Sequence, residues 1–253
     1  GESGAVRYRP RVAELAFLVA AGFFAGVVGY VTGLASLVSY PALLLAGLPP
    51  ITANVTNTVA LIPVGIGSAT SARASLTFDR KLFGLLGAAG AGGLLGAVIL
   101  LLTSASTFEA VVPYLVAFAA LAVLCQPLIR RMSGHRDIPG VLPLAVFVIA
   151  IYGGYFGAGA GIIFLAVSLI ATSQTMWQAT LFKSLLLAAS NAVAAVVFVI
   201  FGSIDWVAAA AMGVGCLAGG WIGPPVVAKL PATPLRIAIA FAGFGLAIWL
   251  AYR

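Results

Sequence analysis

Charge is what this sequence has least of. Only 8% of its 253 residues are charged, with six carboxylates, one histidine and two cysteines. A soluble domain carries roughly 25% charged residues, so a surface wetted all round is excluded. Without a His, Cys or carboxylate cluster there is no candidate metal centre. Cys125 and Cys216 both sit inside apolar runs and read as small buried hydrophobes rather than as a disulfide. His135, in a polar loop, cannot serve as the buried base of a membrane serine protease. Asp79, Asp137 and Asp205 stand at segment ends, which excludes an intramembrane aspartyl protease. The chain is therefore read as a non-enzyme with no cofactor. No basic face interleaved with aromatic residues is present, so no nucleic-acid partner is expected.

What remains is apolar: 62% of the residues are hydrophobic. They fall into about ten segments, too long for core helices of this number and too unbroken for the alternation of barrel strands. The first five are Val12–Val28, Gly33–Ala46, Ile51–Ser71, Leu82–Leu102 and Phe108–Leu128. The second five are Ile138–Tyr152, Gly157–Ala171, Met176–Phe201, Trp206–Val227 and Leu235–Tyr252. The expected fold is all-α, a polytopic helical membrane protein. A polar tail covers 1–11, one membrane unit 12–129, a cytoplasmic linker 130–137 and a second membrane unit 138–253. Arg73, Arg80, Lys81, Arg130, Arg131, Arg136, Lys229 and Arg236 gather in short connections, the pattern of basic residues kept on the cytoplasmic side.

The two units match each other. Phe78-Asp79 recurs as Ile204-Asp205, and Ala91-Gly92-Gly93-Leu94-Leu95-Gly96 as Ala218-Gly219-Gly220-Trp221-Ile222-Gly223. A third pair is more telling. Gly29-Tyr30-Val31-Thr32-Gly33-Leu34-Ala35-Ser36 and Gly153-Gly154-Tyr155-Phe156-Gly157-Ala158-Gly159-Ala160-Gly161 both interrupt an apolar run with small residues. The offset is about 124 to 127 residues throughout. Two homologous repeats of about five segments follow, with broken or re-entrant helices at the glycine motifs. If every segment crosses the bilayer the repeats are inverted. If the short segment after each break is re-entrant they are parallel. The inverted arrangement is the expectation here, because it brings two helix ends together at mid-membrane.

Irregular backbone at membrane depth is tolerated only inside protein or along a cavity. Paired interruptions in corresponding halves point to a transporter's binding site. A helix starting after such a break offers unpaired N–H groups and the positive end of its dipole, which hold oxyanions. Gly33, Ser36, Gly157, Gly159 and Gly161 are the candidates there, with Thr32 adding a hydroxyl. Lys183 is the one charge well inside an apolar segment. A lysine near a helix centre costs about 2.5–3.5 kcal/mol to insert, so it reads as an anion-capturing cation rather than as a snorkelling side chain. Asn57 is its counterpart under the repeat offset. Thr56 beside it and Asn191, two turns beyond Lys183, complete the candidate set. Asn54 and Ser190 read as interhelical hydrogen bonds, and the Ala-Gly-Gly-x-x-Gly pair as close helix packing.

These residues carry a family resemblance. Tyr40-Pro41-Ala42-Leu43-Leu44-Leu45-Ala46-Gly47-Leu48-Pro49-Pro50 with Thr56-Asn57, and Tyr152 to Gly161 with Lys183, Ser190-Asn191 and Asp205-Trp206, resemble the TauE/SafE sulfite-exporter-like permeases (TSUP) over nearly all of Val12 to Leu250. The resemblance implies transport of sulfite, thiosulfate, sulfoacetate or another sulfonate or organic anion, in a bacterial or archaeal inner membrane. The sequence departs from the family pattern at Leu34 and Ala35, and has Gly29 and Gly153 where many relatives carry aspartate, which puts cation or proton coupling through those carboxylates in doubt. The implied partners are a small anionic substrate and the lipid bilayer, with a homodimer left open. An anion channel is the competing expectation, since so few titratable groups lie in the membrane.

Overall fold

The structure is a computed structural model and describes residues 12–32, 35–64, 79–131, 141–171, 176–227 and 232–252. Its helices are α1 (Val12–Thr32), α2 (Ala35–Leu45), α3 (Pro50–Ala60), α4 (Arg80–Leu102), α5 (Ala105–Arg131), α6 (Val141–Tyr155), α7 (Ala160–Ala171), α8 (Met176–Phe201), α9 (Trp206–Val227) and α10 (Ala232–Ala251). Among the described residues four helices are long and apolar enough to cross a bilayer. Phe24, Leu121, Phe201 and Trp221 are exposed on the outside of the bundle. So much exposed apolar surface is favourable only when the solvent is lipid. The molecule is a polytopic helical membrane protein.

Most element ends follow from local chemistry. The expected segment Ile51–Ser71 is not one helix over its described part. α3 ends at Ala60; the Leu61 N–H after it still bonds Asn57 O, and helical backbone resumes at residues 62–64. Pro63 explains the interruption, because it has no N–H to donate and its ring collides with the preceding turn. Residues 65–71 of that segment lie outside the described residues. The recurring aspartates are helix caps. Asp79 Oδ1 accepts the Leu82 N–H at 2.8 Å and Asp205 Oδ1 accepts the Ala208 N–H at 2.8 Å, each three residues into its helix. A cap of this kind is worth about 0.5–2 kcal/mol. Asp79→Ala and Asp205→Ala should each lower thermal stability by that order and leave anion affinity unchanged, as a melting curve and a binding titration on the purified protein would record.

Glycines set the helix registers. Gly22 lies against Met212 and Gly26 against Cys216 and Gly220, while Gly215 and Gly219 lie against Val19 and Phe23. The numbers rise together, so α1 and α9 run in the same direction at close range. α4 and α6 pair in the same way: Gly92 meets Phe147 and Ala150, Gly96 meets Ile151 and Tyr155, and Gly154 meets Gly93. These are backbone contacts with no room for a Cβ, which is how membrane helices gain packing without a hydrophobic driving force. The Ala-Gly-Gly motif is a packing device, as its sequence reading holds.

Exchanging α1–α5 for α6–α10 turns the α1–α9 contact into α6–α4, and α3–α9 into α8–α4. It likewise turns α1–α2 into α6–α7, α2–α3 into α7–α8 and α2–α10 into α7–α5. The α5–α10 and α3–α8 contacts map onto themselves, whereas α6–α8, α3–α5 and α2–α5 have no comparable counterpart among the described residues. Two pairs of residue contacts follow the same exchange. Gly92 rests on Phe147 as Gly219 rests on Phe23, and Gly29 backs onto Ala35 as Gly153 does onto Ala160.

Candidate anion site at the broken helices

The second break is a built turn. α6 stops at Tyr155, where the N–H groups of Phe156 and Gly157 both donate to Tyr152 O at 2.9 and 3.2 Å. Gly157 and Gly159 then take φ of +78° and +77°, a region only glycine enters without strain. Tyr152 Oη donates to Ala158 O across the turn. α7 opens with the Ala160 N–H on Gly157 O at 3.2 Å and the Ile162 N–H on Gly159 O at 3.0 Å. Gly159 is pressed onto Ala119 of α5, where an added Cβ would stand 3.1 Å from Ala119 Cα. Gly161 is buried in the first turn of α7, and Gly157 is half-buried.

The depth of the break follows from its neighbours. Gly153 faces Ser190, close to the midpoint of α8, and Gly154 faces Gly93, close to the midpoint of α4. Ser190 Oγ also donates to Ala150 O at 3.3 Å, the interhelical role expected for it. In the first unit Gly26 lies beside Cys216 near the midpoint of α9. Gly29, three residues on, opens the glycine motif about one turn further, and α1 continues to Thr32. Gly33 and Leu34 lie outside the described residues, as does the Thr32 side chain. Ser36 is half-buried in the first turn of α2.

The α2–α3 pair packs against the second break. Tyr40 of α2 meets Phe156 edge-on, ring centroids 5.2 Å apart, and Phe108 of α5 closes on Tyr155 and Phe156 at 5.9 and 6.3 Å. Asn54 of α3 donates through Nδ2 to Tyr155 O at 2.8 Å, the interhelical bond its sequence reading assigns it. That carbonyl is at the last residue of α6, where no helical N–H follows to claim it. Ser39 Oγ donates toward Asn57 Oδ1 and lies 3.0 Å from Ala35 O, so α2 orients the Asn57 amide.

The sequence candidates are distributed unevenly. Lys183 and Asn57 are each 1% exposed, so neither snorkels. Asn191 is half-buried on α8. Thr56 is fully buried, and its hydroxyl accepts the Asp205 N–H at 3.1 Å, which ties α3 to the start of α9. The expectation that Asn57 and Lys183 point into one shared space needs correction. Val55 packs on Gly202, nineteen residues beyond Lys183 on the α8 side of the fold. Nineteen residues of helix measure about 28 Å, so Asn57, two residues after Val55, is beyond the combined reach of the two side chains. The second break stands between them, with Gly153 at Ser190, about 10 Å along α8 from Lys183. Tyr40, Ser39 and Phe156 escaped the sequence reading as site residues. Their one signal was the Tyr-Pro step, because a proline inside α2 marks a helix held by its surroundings.

Helices broken at mid-depth, enclosed by protein and lined by buried polar groups, define a polytopic membrane protein of the transporter kind. The chain matches the family model described as sulfite exporter TauE/SafE over residues 18–250, and it belongs to that family. It is 32% identical to a probable membrane transporter protein of a Sinorhizobium species, over 83% of this chain and 81% of the relative. It is 26% identical to a probable membrane transporter protein of Haemophilus influenzae, over 91% of each chain, and 26% identical to the Escherichia coli K12 probable membrane transporter protein YfcA, over 86% of this chain and 81% of that one. The protein is a membrane transporter.

Proposed function

We propose that the protein is a secondary transporter of a small sulfur-containing or organic anion such as sulfite, thiosulfate, sulfoacetate or a similar sulfonate, acting as an exporter or permease of the cytoplasmic membrane. The observation that carries this reading is the second break, a glycine turn at the midpoint of α4 and α8 that starts α7 inside protein. Helix starts of this kind hold oxyanions. Lys183 and Asn57 lie buried on either side of it and supply a cation and an amide along the path. The inverted form of the repeat is supported by register. Val55, Thr56 and Ala60 meet Gly202, Asp205 and Gly213 in rising order, so α3 and α9 run the same way. Five crossings per unit require that direction, whereas a re-entrant α2 would reverse it.

Coupling through a buried carboxylate has little support. Glu109 is exposed near the start of α5, and Glu14 stands in the first turn of α1. The anion's own gradient, exchange, or an ion held on backbone carbonyls at the breaks are the remaining sources of drive.

A ligand that binds only the folded state raises apparent stability, by about 2.7 kcal/mol at a hundred times its Kd. Melting the purified protein with sulfite, thiosulfate, sulfoacetate, taurine, sulfate and acetate should therefore single out one anion class. In proteoliposomes the stabilising anion should show saturable flux and counterflow, with rates unchanged by an imposed proton gradient. Unitary currents without counterflow would instead mark a channel, and stabilisation by no anion would sink the reading.

A further inference from the structure

The second break is flanked by two buried polar atoms that the protein leaves unmatched. Tyr40 and Asn54 are each 1% exposed, and neither Tyr40 Oη nor Asn54 Oδ1 has a hydrogen-bond partner among the described residues. Such atoms are rare, because each gives up the hydration it had in the unfolded chain for nothing in return. Both side chains contact one dipeptide. Asn54 Nδ2 holds the carbonyl of Tyr155, and the Tyr40 ring stands edge-on to Phe156, the next residue. Two neighbouring helices thus brace the same dipeptide at the end of α6, and each leaves one polar atom over.

The chemistry of the two atoms differs. The orientation of the Asn54 amide is decided by its partner, since a backbone carbonyl only accepts and must face Nδ2. The other end, Oδ1, is therefore an acceptor and nothing else. The Tyr40 hydroxyl can donate. A bare anion offers only lone pairs. It would satisfy Tyr40 and set oxygen against oxygen at Asn54.

We infer that Tyr40 and Asn54 read a hydrogen-bond donor on the transported anion, so that the substrate is an anion carrying an O–H or N–H of its own. An anionic oxygen takes the Tyr40 hydroxyl proton, and the substrate's donor goes to Asn54 Oδ1. This rests on the anion-transport reading above and narrows it to donor-bearing anions. A site built around a substrate hydroxyl rejects the analogue without it far more strongly than an apolar pocket rejects an extra methylene, because its own polar group is then stranded.

The test uses pairs of equal size in which a hydroxyl replaces a methyl: 2-hydroxyethanesulfonate against propane-1-sulfonate, and glycolate against propionate. Affinities are measured by titration of the purified full-length chain. The hydroxylated member of a pair should bind at least about tenfold more tightly to the wild type. Asn54→Leu should erase that preference and leave the methyl analogue's affinity within about threefold, while Tyr40→Phe should weaken both members alike. Equal affinities within each pair, or binding of other anions but of neither hydroxylated probe, would overturn the inference and leave anion transport standing. A preference that survives Asn54→Leu overturns it too. If Asn54→Leu fails to fold, the wild-type comparison decides alone. Binding of no anion at all would remove the transport reading and this inference with it.

Discussion

Lys183→Ala is expected to weaken anion affinity by roughly tenfold to a hundredfold, the worth of one charge-assisted hydrogen bond, while the protein still folds. Lys183 is 1% exposed within α8, so its ammonium is shielded from both bulk water and the lipid. In such a medium a positive charge acts on an anion over a longer range and with less screening than at a surface. α8 is also held by apolar packing on both sides of this residue. Leu181, Phe182, Leu185 and Leu186 are buried in a cluster with Leu82, Leu85, Val146 and Phe164, and they hold the helix against its neighbours. Lys183→Arg should recover part of the affinity, since the charge returns but the guanidinium is planar and broader than an ammonium. Size-exclusion chromatography would report folding and a titration with the stabilising anion would report binding. Full affinity in Lys183→Ala would show that the charge serves architecture alone, and the electrostatic part of the proposed site would be lost.

Gly154→Val should be strongly destabilising. A Cβ at residue 154 would stand 2.9 Å from the Cα of Gly93, where the end of α6 meets the midpoint of α4, with backbone and no flexible side chain in the way. Neither helix can yield without moving the other. α6 then carries the disturbance into the second break, because Tyr155 and Phe156 follow directly. Overpacking in a close-packed interior costs about 1–3 kcal/mol and more where backbone must shift. A loss at or above the top of that range is expected, seen as a lower melting temperature in detergent and a reduced yield of folded protein. Gly84→Ala is the matched control. A Cβ there meets nothing within 4 Å, and alanine favours a helix over glycine by about 1 kcal/mol. That variant should melt at or above the wild-type temperature. Equal tolerance of the two substitutions would mean the glycine contacts do not set the helix spacing.

Much of the architecture was legible because the lipid solvent writes it into composition. Ten apolar segments and the basic connections between them needed no tertiary information, and α8 and α9 begin and end where their segments do. The glycine motifs announced both breaks, since glycine in an apolar run gains nothing unless backbone must turn or approach closely. The two aspartates stood out as repeated elements, yet their task as helix caps became plain only when their carboxylates were seen three residues from the N–H they hold. Pro63 was visible in the sequence and its interruption of the third segment was not drawn from it.

What sequence alone determined about this protein is its solvent, its class and the two places where its helices break, for these depend on residue type and local spacing. The tertiary structure decided who meets whom. The repeat offset pairs Asn57 with Lys183, but Val55, two residues before Asn57, packs on Gly202, nineteen residues beyond Lys183, a separation that no offset along a chain can express. Thr56 became a tie between α3 and α9, and Tyr40 and Asn54 became neighbours of one dipeptide more than a hundred positions away. Hydropathy and periodicity describe one helix at a time. A binding site between helices is made by the packing of backbones that only glycine lets come so close.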